Sequence, residues 1–181
     1  MAVVTLGVTG SIAAYKACEI ASLLGKDGVD VHVVLTESAA KLVTAVTFQT
    51  LTGNPVVTGM FHPYGGGTMP HISLADRSDL LVTAPATANI LAKYAHGMAD
   101  DALSTLALSA DCPHLVAPAM NDRMWRNPVV QENVRKLEDL GFAFAGPGQG
   151  RLACGTEGTG RMAEPVDILE AVRGLLKQGT A

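Results

Sequence analysis

Cys154 lies in a glycine-rich stretch near the end of the sequence, Arg151 to Pro165, which reads RLACGTEGTGRMAEP. A thiol in such a stretch is a candidate proton donor, nucleophile or redox group. Arg151 and Arg161 belong to the same stretch, and guanidinium groups suit carboxylate or phosphate ligands. Long loops of this kind are often functional, so we predict an irregular clamp loop over about 146–164 that closes over a bound substrate. The alternative is a surface loop with an incidental cysteine.

Histidine has the side chain best suited to proton transfer near neutral pH, and the sequence contains five. His71, in MPHISLADRSD, follows a glycine-rich segment and precedes a predicted strand. The local pattern alone does not distinguish it from the other histidines, which lie within a predicted strand or near loops: His32, His62, His96 and His114.

Two segments have the same form, PATAN at 85–89 and PAMNDRMW at 118–125. In each, a predicted strand ends in Ala-Pro, and small residues and an asparagine follow. Small residues let a flat ring approach the backbone, and asparagine offers both donors and an acceptor. Asn89 and Asn121 are therefore candidates to orient a ring or a carboxylate, with helix capping as the alternative.

Two earlier turns could bind a phosphate. GVTGSIAAYK places Gly10 and Ser11 between a predicted strand and helix, where free backbone N–H groups favour an anion. The motif lacks the spacing of the dinucleotide fingerprint, so a single phosphate fits better than a pyrophosphate. In LTESA, the hydroxyls of Thr36 and Ser38 could bind the same phosphate or a ribityl chain. Ordinary turns and caps are the alternatives, and Glu37 could instead hold a ribose, as in nicotinamide enzymes.

The elements that must position these groups are apolar strands alternating with helices. This alternation predicts an α/β fold with a doubly wound, Rossmann-like parallel sheet. Ligands of such folds bind beyond the carboxyl ends of the strands, where all four turns are predicted to lie. Strands are predicted at 3–8, 29–35, 79–84, 114–117 and 142–145, with Pro85 and Pro118 ending two of them. Helices are predicted at 12–24, 36–51 with an interruption near Thr44, 87–96, 100–109, 127–140 and 165–176.

Composition limits the class of protein. Hydrophobic residues make up 48% of the 181 residues and charged residues only 17%, which argues against disorder. The net charge of −4 gives no electrostatic footprint for nucleic acid or an anionic membrane. We expect one domain over residues 1–181, without a signal peptide or membrane span. Cys18, Cys112 and Cys154 form neither a disulfide framework nor a zinc pattern, so we expect no metal and a cytoplasmic location.

Taken in order, GVTGSIAAYK, HISL, PATAN, PAMNDRMW and ACGTEGTGRM resemble the flavin-containing cysteine decarboxylases. The resemblance covers the chain from Val4 to about Leu175. It implies a flavodoxin-like, three-layer flavoprotein that binds FMN. It also implies a homo-oligomer, either a trimer or a dodecamer, with active sites at the subunit interfaces.

The resemblance further implies FMN-dependent decarboxylation of phosphopantothenoylcysteine to phosphopantetheine in coenzyme A biosynthesis, through a thioaldehyde and an enethiolate. His71 matches the family's active-site base, Asn121 the residue that binds the substrate carboxylate, and Cys154 the proton donor. We place Met120 and Arg161 beside the substrate. The matching flavin positions are Gly10, Ser11, Thr36, Ser38, Thr87, Ala88, Asn89, Ile90 and Ala119. The family often has a hydroxyl residue where this chain has Ile90, so a side-chain contact to the flavin is not expected there.

Three alternatives stay open. Relatives that decarboxylate the C-terminal cysteine of a peptide release the enethiol and need no clamp cysteine, so Cys154 favours the small substrate. A non-catalytic, flavin-binding regulatory subunit is disfavoured because His71, Asn121 and Cys154 occur together. A nicotinamide dehydrogenase depends on Glu37 alone.

Overall fold

The computed structural model describes residues 1–61, 64, 69–151 and 157–178. Within these ranges a six-stranded sheet forms, in which every neighbouring pair of strands is parallel. The predicted α/β, doubly wound parallel sheet is confirmed. From one edge to the other, the strands are β3 (Val56–Val57), β2 (Asp30–Leu35), β1 (Val3–Val8), β4 (Leu80–Ala86), β5 (His114–Pro118) and β6 (Ala143–Phe144).

Helices cover both faces of the sheet, and most begin at a residue whose side chain accepts a backbone N–H. Thr36, Thr87, Asp101, Asn121 and Asn127 all cap helices in this way. The helices are α1 (Ala14–Lys26), α2 (Glu37–Ala40), α3 (Ala45–Thr52), α4 (Pro70–Ala75), α5 (Ala88–His96), α6 (Ala102–Ser109), α7 (Asp122–Trp125), α8 (Pro128–Asp139) and α9 (Pro165–Gln178).

Two apolar layers hold the helices on the sheet. Val4, Leu6 and Val8 of β1 point into the layer that α1 and α9 cover. Leu81 of β4 and Val116 of β5 point into the other layer, which α4, α5, α6 and α8 cover. Parallel strands with both faces covered must be apolar along their whole length, which explains the unbroken apolar runs of the sequence.

The predicted end of the third strand at Ala84 is wrong, because β4 continues through Pro85 to Ala86. Proline normally ends a strand since it lacks the N–H that the ladder needs. Here the pairing of β4 with β5 shifts register between Thr83 and Ala86, so Pro85 lies at an irregularity of the ladder. The carbonyl of Pro85 then accepts a hydrogen bond from Thr9, as described below.

The prediction of an irregular loop over about 146–164 is also wrong for the described residues of that range. Residues on both sides of 152–156 form an antiparallel hairpin of β7 (Gly148–Arg151) and β8 (Glu157–Arg161). Gly160 has a φ of +147°, which side chains rarely adopt, so glycine permits this ladder where most residues would oppose it. The glycines of this segment predicted an irregular loop because strands usually disfavour glycine. Here close packing against neighbouring residues requires glycine within a strand.

The sequence pattern also missed three short elements, β3, α4 and α7. Two residues are too few to show a periodicity, and α4 follows a glycine-rich segment that suggested a loop through Pro70. Pro70 instead occupies the first turn of α4, a position where its missing N–H costs nothing. Among the described residues, no helix is both long and apolar enough to cross a membrane.

His114, the first residue of β5, is buried at 9% exposure and contacts the Phe142 ring edge-on at a centroid distance of 4.5 Å. Its Nδ1 has no hydrogen-bond partner among the described residues. Burial lowers the pKa of His114 below its ordinary value of 6.5, and the Ala110 backbone only partly offsets this. The unfolded chain therefore binds more protons than the folded chain as pH falls below about 6.5, so stability decreases there.

We expect His114→Phe to weaken this pH dependence. Phenylalanine keeps the ring contact, removes an unpartnered buried nitrogen and takes up no proton. The free energy of unfolding should fall less between about pH 7.5 and about pH 5.5 than in the wild type. Urea denaturation at both pH values measures this change in the free energy of unfolding. His96→Gln, at an exposed histidine, is the control. An unchanged pH slope in His114→Phe would show that His114 does not carry the effect.

Candidate functional site

The turn after β1 is joined to the turn after β4 by Thr9, which is 2% exposed. The Thr9 hydroxyl donates to the Pro85 carbonyl at 2.7 Å and accepts the Thr87 backbone N–H at 3.1 Å. One buried hydroxyl thus provides hydrogen-bond partners for a backbone carbonyl and a backbone N–H at the end of β4. The sequence analysis did not single out Thr9, although a polar residue directly after a buried strand was the available signal.

Gly10 allows the turn after β1 to touch the turn after β2. A Cβ at Gly10 would lie 2.4 Å from the Cβ of Ser38, a separation that real side chains do not adopt. Thr36 fixes the second turn, because its hydroxyl accepts the Ala39 N–H at 3.2 Å while its backbone N–H donates to Val8. The hydroxyls of Thr36 and Ser38 therefore lie next to Gly10 at the carboxyl edge of the sheet.

The third turn begins α5. The hydroxyl of Thr87 caps this helix by accepting the Ile90 N–H at 3.4 Å. The Ile90 side chain is 1% exposed and packs in the apolar layer beneath α5. Asn89 is exposed and does not cap the helix, so the capping alternative for Asn89 is wrong.

These three turns enclose a cavity of about 500 Å³. The structure thus brings together seven of the nine predicted flavin positions: Gly10, Thr36, Ser38, Thr87, Ala88, Asn89 and Ile90. The other described lining residues were not among the predicted flavin positions: Thr9, Glu37, Lys93, Asp100, Asp101 and Met124. Small residues, hydroxyls and the start of α5 make the cavity suited to a flat ring and a polar chain.

Lys93 provides the positive charge of this lining, next to two carboxylates. Its Nζ lies 2.5 Å from a carboxylate oxygen of Asp100 and 2.5 Å from one of Asp101. Burial lowers the pKa of Lys93, but hydrogen bonds to Asp100 and Asp101 outweigh it and raise the pKa overall. Lys93 therefore stays charged and ties α5 to the start of α6, where Asp101 forms a capping box with Ser104. Nothing in the local sequence pattern distinguished this ion pair from solvated charges.

The turn after β5 carries Ala119, Met120 and Asn121. The Ala119 N–H donates to the Ala86 carbonyl at 2.9 Å, which places this turn beside the end of β4. Asn121 caps α7 by accepting the Arg123 N–H at 2.9 Å. Asn121 thus caps a helix, as the alternative reading predicted. Its binding of a substrate carboxylate stays a prediction.

His71 lies in the first turn of α4 and is half-buried. Because α4 runs back to the amino end of β4, its first turn is directed toward the carboxyl edge of the sheet. The Nδ1 atom of His71 is buried without a hydrogen-bond partner among the described residues. A buried polar atom in this state is a candidate for contact with a bound molecule.

Some predicted residues lie apart from the 500 Å³ cavity. Its described lining does not include Ser11, His71, Ala119, Met120, Asn121 or Arg161. Ser11 accepts the Ala13 N–H at 3.4 Å. Arg161, on β8, pairs with Glu164 and lines a separate cavity of about 350 Å³ at the base of the hairpin. Cys154 and the rest of 152–156 lie outside the described residues.

Comparison with known proteins decides the family. The Flavoprotein family profile matches residues 2–177. The chain belongs to the Flavoprotein family. The match confirms the flavoprotein part of the resemblance, and the relatives and solved structures described next confirm the resemblance to cysteine decarboxylases.

Solved structures support the same assignment. A PPC decarboxylase mutant complexed with pantothenoylaminoethenethiol superposes with a TM-score of 0.88 at 31% identity, covering 97% of this chain and 98% of that chain. The FMN-dependent cysteine decarboxylase SpaF superposes with a TM-score of 0.85 at 34% identity, covering 100% of this chain and 98% of that chain.

Among curated proteins, the coenzyme A biosynthesis bifunctional protein CoaBC of Bacillus subtilis is 44% identical over 167 residues. The match covers 92% of this chain but 41% of that relative. The chain thus spans about two-fifths of the length of the curated relatives it matches.

We expect Gly10→Ala to destabilise the protein, because the new Cβ must displace Ser38 from its place in the cavity. The free energy of unfolding should fall by about 1–3 kcal/mol, the usual range for overpacking. Gly25→Ala is the matched control, since a Cβ at Gly25 meets nothing within 4 Å. Urea denaturation of both variants measures the difference, and equal stability would contradict the close approach of the two turns.

Proposed function

We propose that this chain catalyses FMN-dependent decarboxylation of phosphopantothenoylcysteine to phosphopantetheine, a step of coenzyme A biosynthesis. The observation that carries the proposal is the match to PPC decarboxylase over nearly both full chains, together with a cavity formed by the predicted flavin positions. The CoaBC relatives support the same pathway for the part of their length that this chain spans.

The residues of the carboxyl edge fit FMN. We assign Gly10, Ser11, Thr36 and Ser38 to the phosphate and the ribityl chain, because hydroxyls and turn N–H groups are the donors these groups need. We assign the small residues that begin α5, from Thr87 to Ile90, and Ala119 to the flat ring, which they would hold. The Ile90 side chain is packed in the core, so any contact from Ile90 comes from its backbone. Bound FMN supplies a two-electron oxidant for the cysteine moiety.

His71 acts as the base. Its imidazole carries a buried Nδ1 without a described partner, and an imidazole can take a proton near neutral pH. Removal of a proton from the cysteine moiety accompanies its oxidation to a thioaldehyde, which then accepts the electron pair released when carbon dioxide leaves. The enethiolate results.

Asn121 and its neighbours bind the substrate. The Asn121 Oδ1 accepts the Arg123 N–H, which fixes the orientation of the amide. We assign the amide to the substrate carboxylate, with Met120 and Arg161 alongside. In the second half of the reaction, one carbon of the double bond would accept the two electrons as a hydride from reduced FMN, and Cys154 would donate a proton to the other, which gives the saturated thiol.

A peptide ending in cysteine is the second candidate substrate, favoured by the similarity to SpaF. The identity to SpaF is 34%, whereas the identity to CoaBC of Bacillus subtilis is 44%. Supplying each substrate separately decides between them, because peptide decarboxylation ends at the enethiol.

We propose that the protein acts in the cytoplasm as a homo-oligomer, either a trimer or a dodecamer, with active sites at subunit interfaces. Large apolar side chains that are exposed near the starts of α1, α3, α4 and α7 support this, because such side chains are available for contact with another subunit. They include Ile12, Tyr15, Val46, Ile72 and Met124. Sedimentation or light scattering distinguishes a monomer, a trimer and a dodecamer.

His71→Asn should retain FMN but release carbon dioxide at least about 100-fold more slowly, because general-base catalysis contributes that much or more. Flavin absorption measures cofactor retention, and carbon dioxide release from phosphopantothenoylcysteine measures turnover. The exposed His96→Asn serves as control and should match the wild type. Unchanged turnover in His71→Asn would refute the role of His71, and a wild-type protein indifferent to FMN would refute the proposed function.

Cys154→Ser separates the two halves of the reaction. The variant should still release carbon dioxide, but the enethiol should accumulate because the proton donor is missing. Mass spectrometry distinguishes the enethiol from phosphopantetheine by two hydrogens. Cys18→Ser is the control, because Cys18 is a half-buried cysteine of α1, distant in sequence from Cys154. A normal yield of saturated product from Cys154→Ser would leave Cys154 without a role.

A further inference from the structure

Two segments with predicted substrate residues contact each other directly. Met120 and Asn121 follow β5, and Arg161 ends β8. The backbone N–H of Met120 donates to the Gly160 carbonyl at 2.9 Å. The backbone N–H of Thr159 donates to Oδ1 of Asp122 at 3.1 Å. A strand of the hairpin is therefore hydrogen-bonded to the turn that begins α7.

Asp122 is the side chain at the centre of this contact. Its carboxylate is 16% exposed and also pairs with Arg126, whose side chain is 70% exposed. The two partners occupy different oxygens, since Thr159 donates to Oδ1 and Arg126 to Oδ2. The bond to Thr159 is thus the sheltered one, and the ion pair with Arg126 is open to solvent and correspondingly weak.

Two glycines of β8 permit the approach. A Cβ at Gly158 would lie 2.7 Å from Cγ of Asp122, and a Cβ at Gly160 would lie 2.4 Å from the Met120 carbonyl oxygen. Any other residue at either position would push β8 away from α7. Close packing, and not flexibility, therefore explains two glycines of the GTEGTGR segment.

The base of the hairpin is anchored independently. Met162 is 2% exposed in the core, and Lys16 of α1 binds Glu164 at 2.9 Å. Glu164 also pairs with Arg161. The end of β8 is held at its base, and the rest of β8 is held against the turn that carries Asn121 by the bond to Asp122 and by the bond between Met120 and Gly160.

We propose that Asp122 is a positioning residue that couples β8 to the turn carrying Met120 and Asn121, so that both segments bind the substrate as one unit. The proposal rests on the proposed function for the identity of the substrate. Asp122 itself is not assigned a contact with the reacting groups. It acts through the Thr159 N–H and through the place it gives to β8.

Asp122→Ala removes the acceptor and should raise KM for phosphopantothenoylcysteine about 10-fold, with a smaller change in kcat, because a hydrogen bond to a charged group is lost from the substrate-bound arrangement. Flavin content should stay near the wild type, because Asp122 does not line the 500 Å³ cavity. Arg126→Ala is the matched control: it removes the exposed ion pair, keeps the Thr159 bond and should leave KM unchanged. KM within about twofold of the wild type in Asp122→Ala would overturn the proposal.

Hydrogen exchange tests the coupling without turnover. The amides of Thr159 and Met120 should exchange about 10-fold faster in Asp122→Ala than in Arg126→Ala, because Thr159 loses its acceptor and the neighbouring bond from Met120 to Gly160 loses its support. If the wild type does not turn over the substrate, the proposed function fails, and exchange at these two amides alone still decides the coupling. Unchanged exchange in Asp122→Ala overturns the proposal in either case.

Gly158→Ala provides a second variant that keeps Asp122. Its Cβ should displace β8 and reproduce the rise in KM and the faster exchange at Thr159. Gly174→Ala is the control, since a Cβ at Gly174 in α9 meets nothing within 4 Å. A Gly158→Ala protein with wild-type KM and wild-type exchange would contradict the close packing on which the proposal depends.

Discussion

The parallel alignment of β1, β2, β4 and β5 is the constraint on which the rest of the structure depends. Parallel strands that neighbour one another end at the same edge, so their four following turns must meet there. Thr9 then joins two of these turns through one buried hydroxyl, and Gly10 lets a third approach within contact distance. The cavity results from this convergence, since its described lining comes from elements far apart in the sequence.

The buried lysine at this edge keeps its positive charge because two carboxylates pair with it. Lys93 is held between Asp100 and Asp101, and its pKa rises despite burial. The same ion pair joins two helices that cover one face of the sheet. Electrostatics and packing therefore act together here, because the groups that line the cavity also fix the elements that form it.

The glycine-rich segment combines rigid and functional parts. Its described flanks, 148–151 and 157–161, are paired strands, and close contact with Asp122 and Met120 requires glycine at Gly158 and Gly160 of the second flank. Cys154 lies between these flanks in the sequence, so the strands determine where the chain enters and leaves its neighbourhood. The flank at 157–161 is hydrogen-bonded to the turn that carries Asn121, so two segments with predicted substrate residues are held together.

The sequence by itself determined the fold class, the long helices, the strand ends whose turns line the cavity and the family. Apolar runs, caps and motifs are local, so they can be read without the fold. Only the tertiary structure decided that β4 continues through Pro85, that the glycine-rich segment forms a hairpin, and that Thr9, Lys93 and Asp122 join distant turns. Each of these depends on a partner at least several residues away, often on another element, and local pattern carries no information about such a partner.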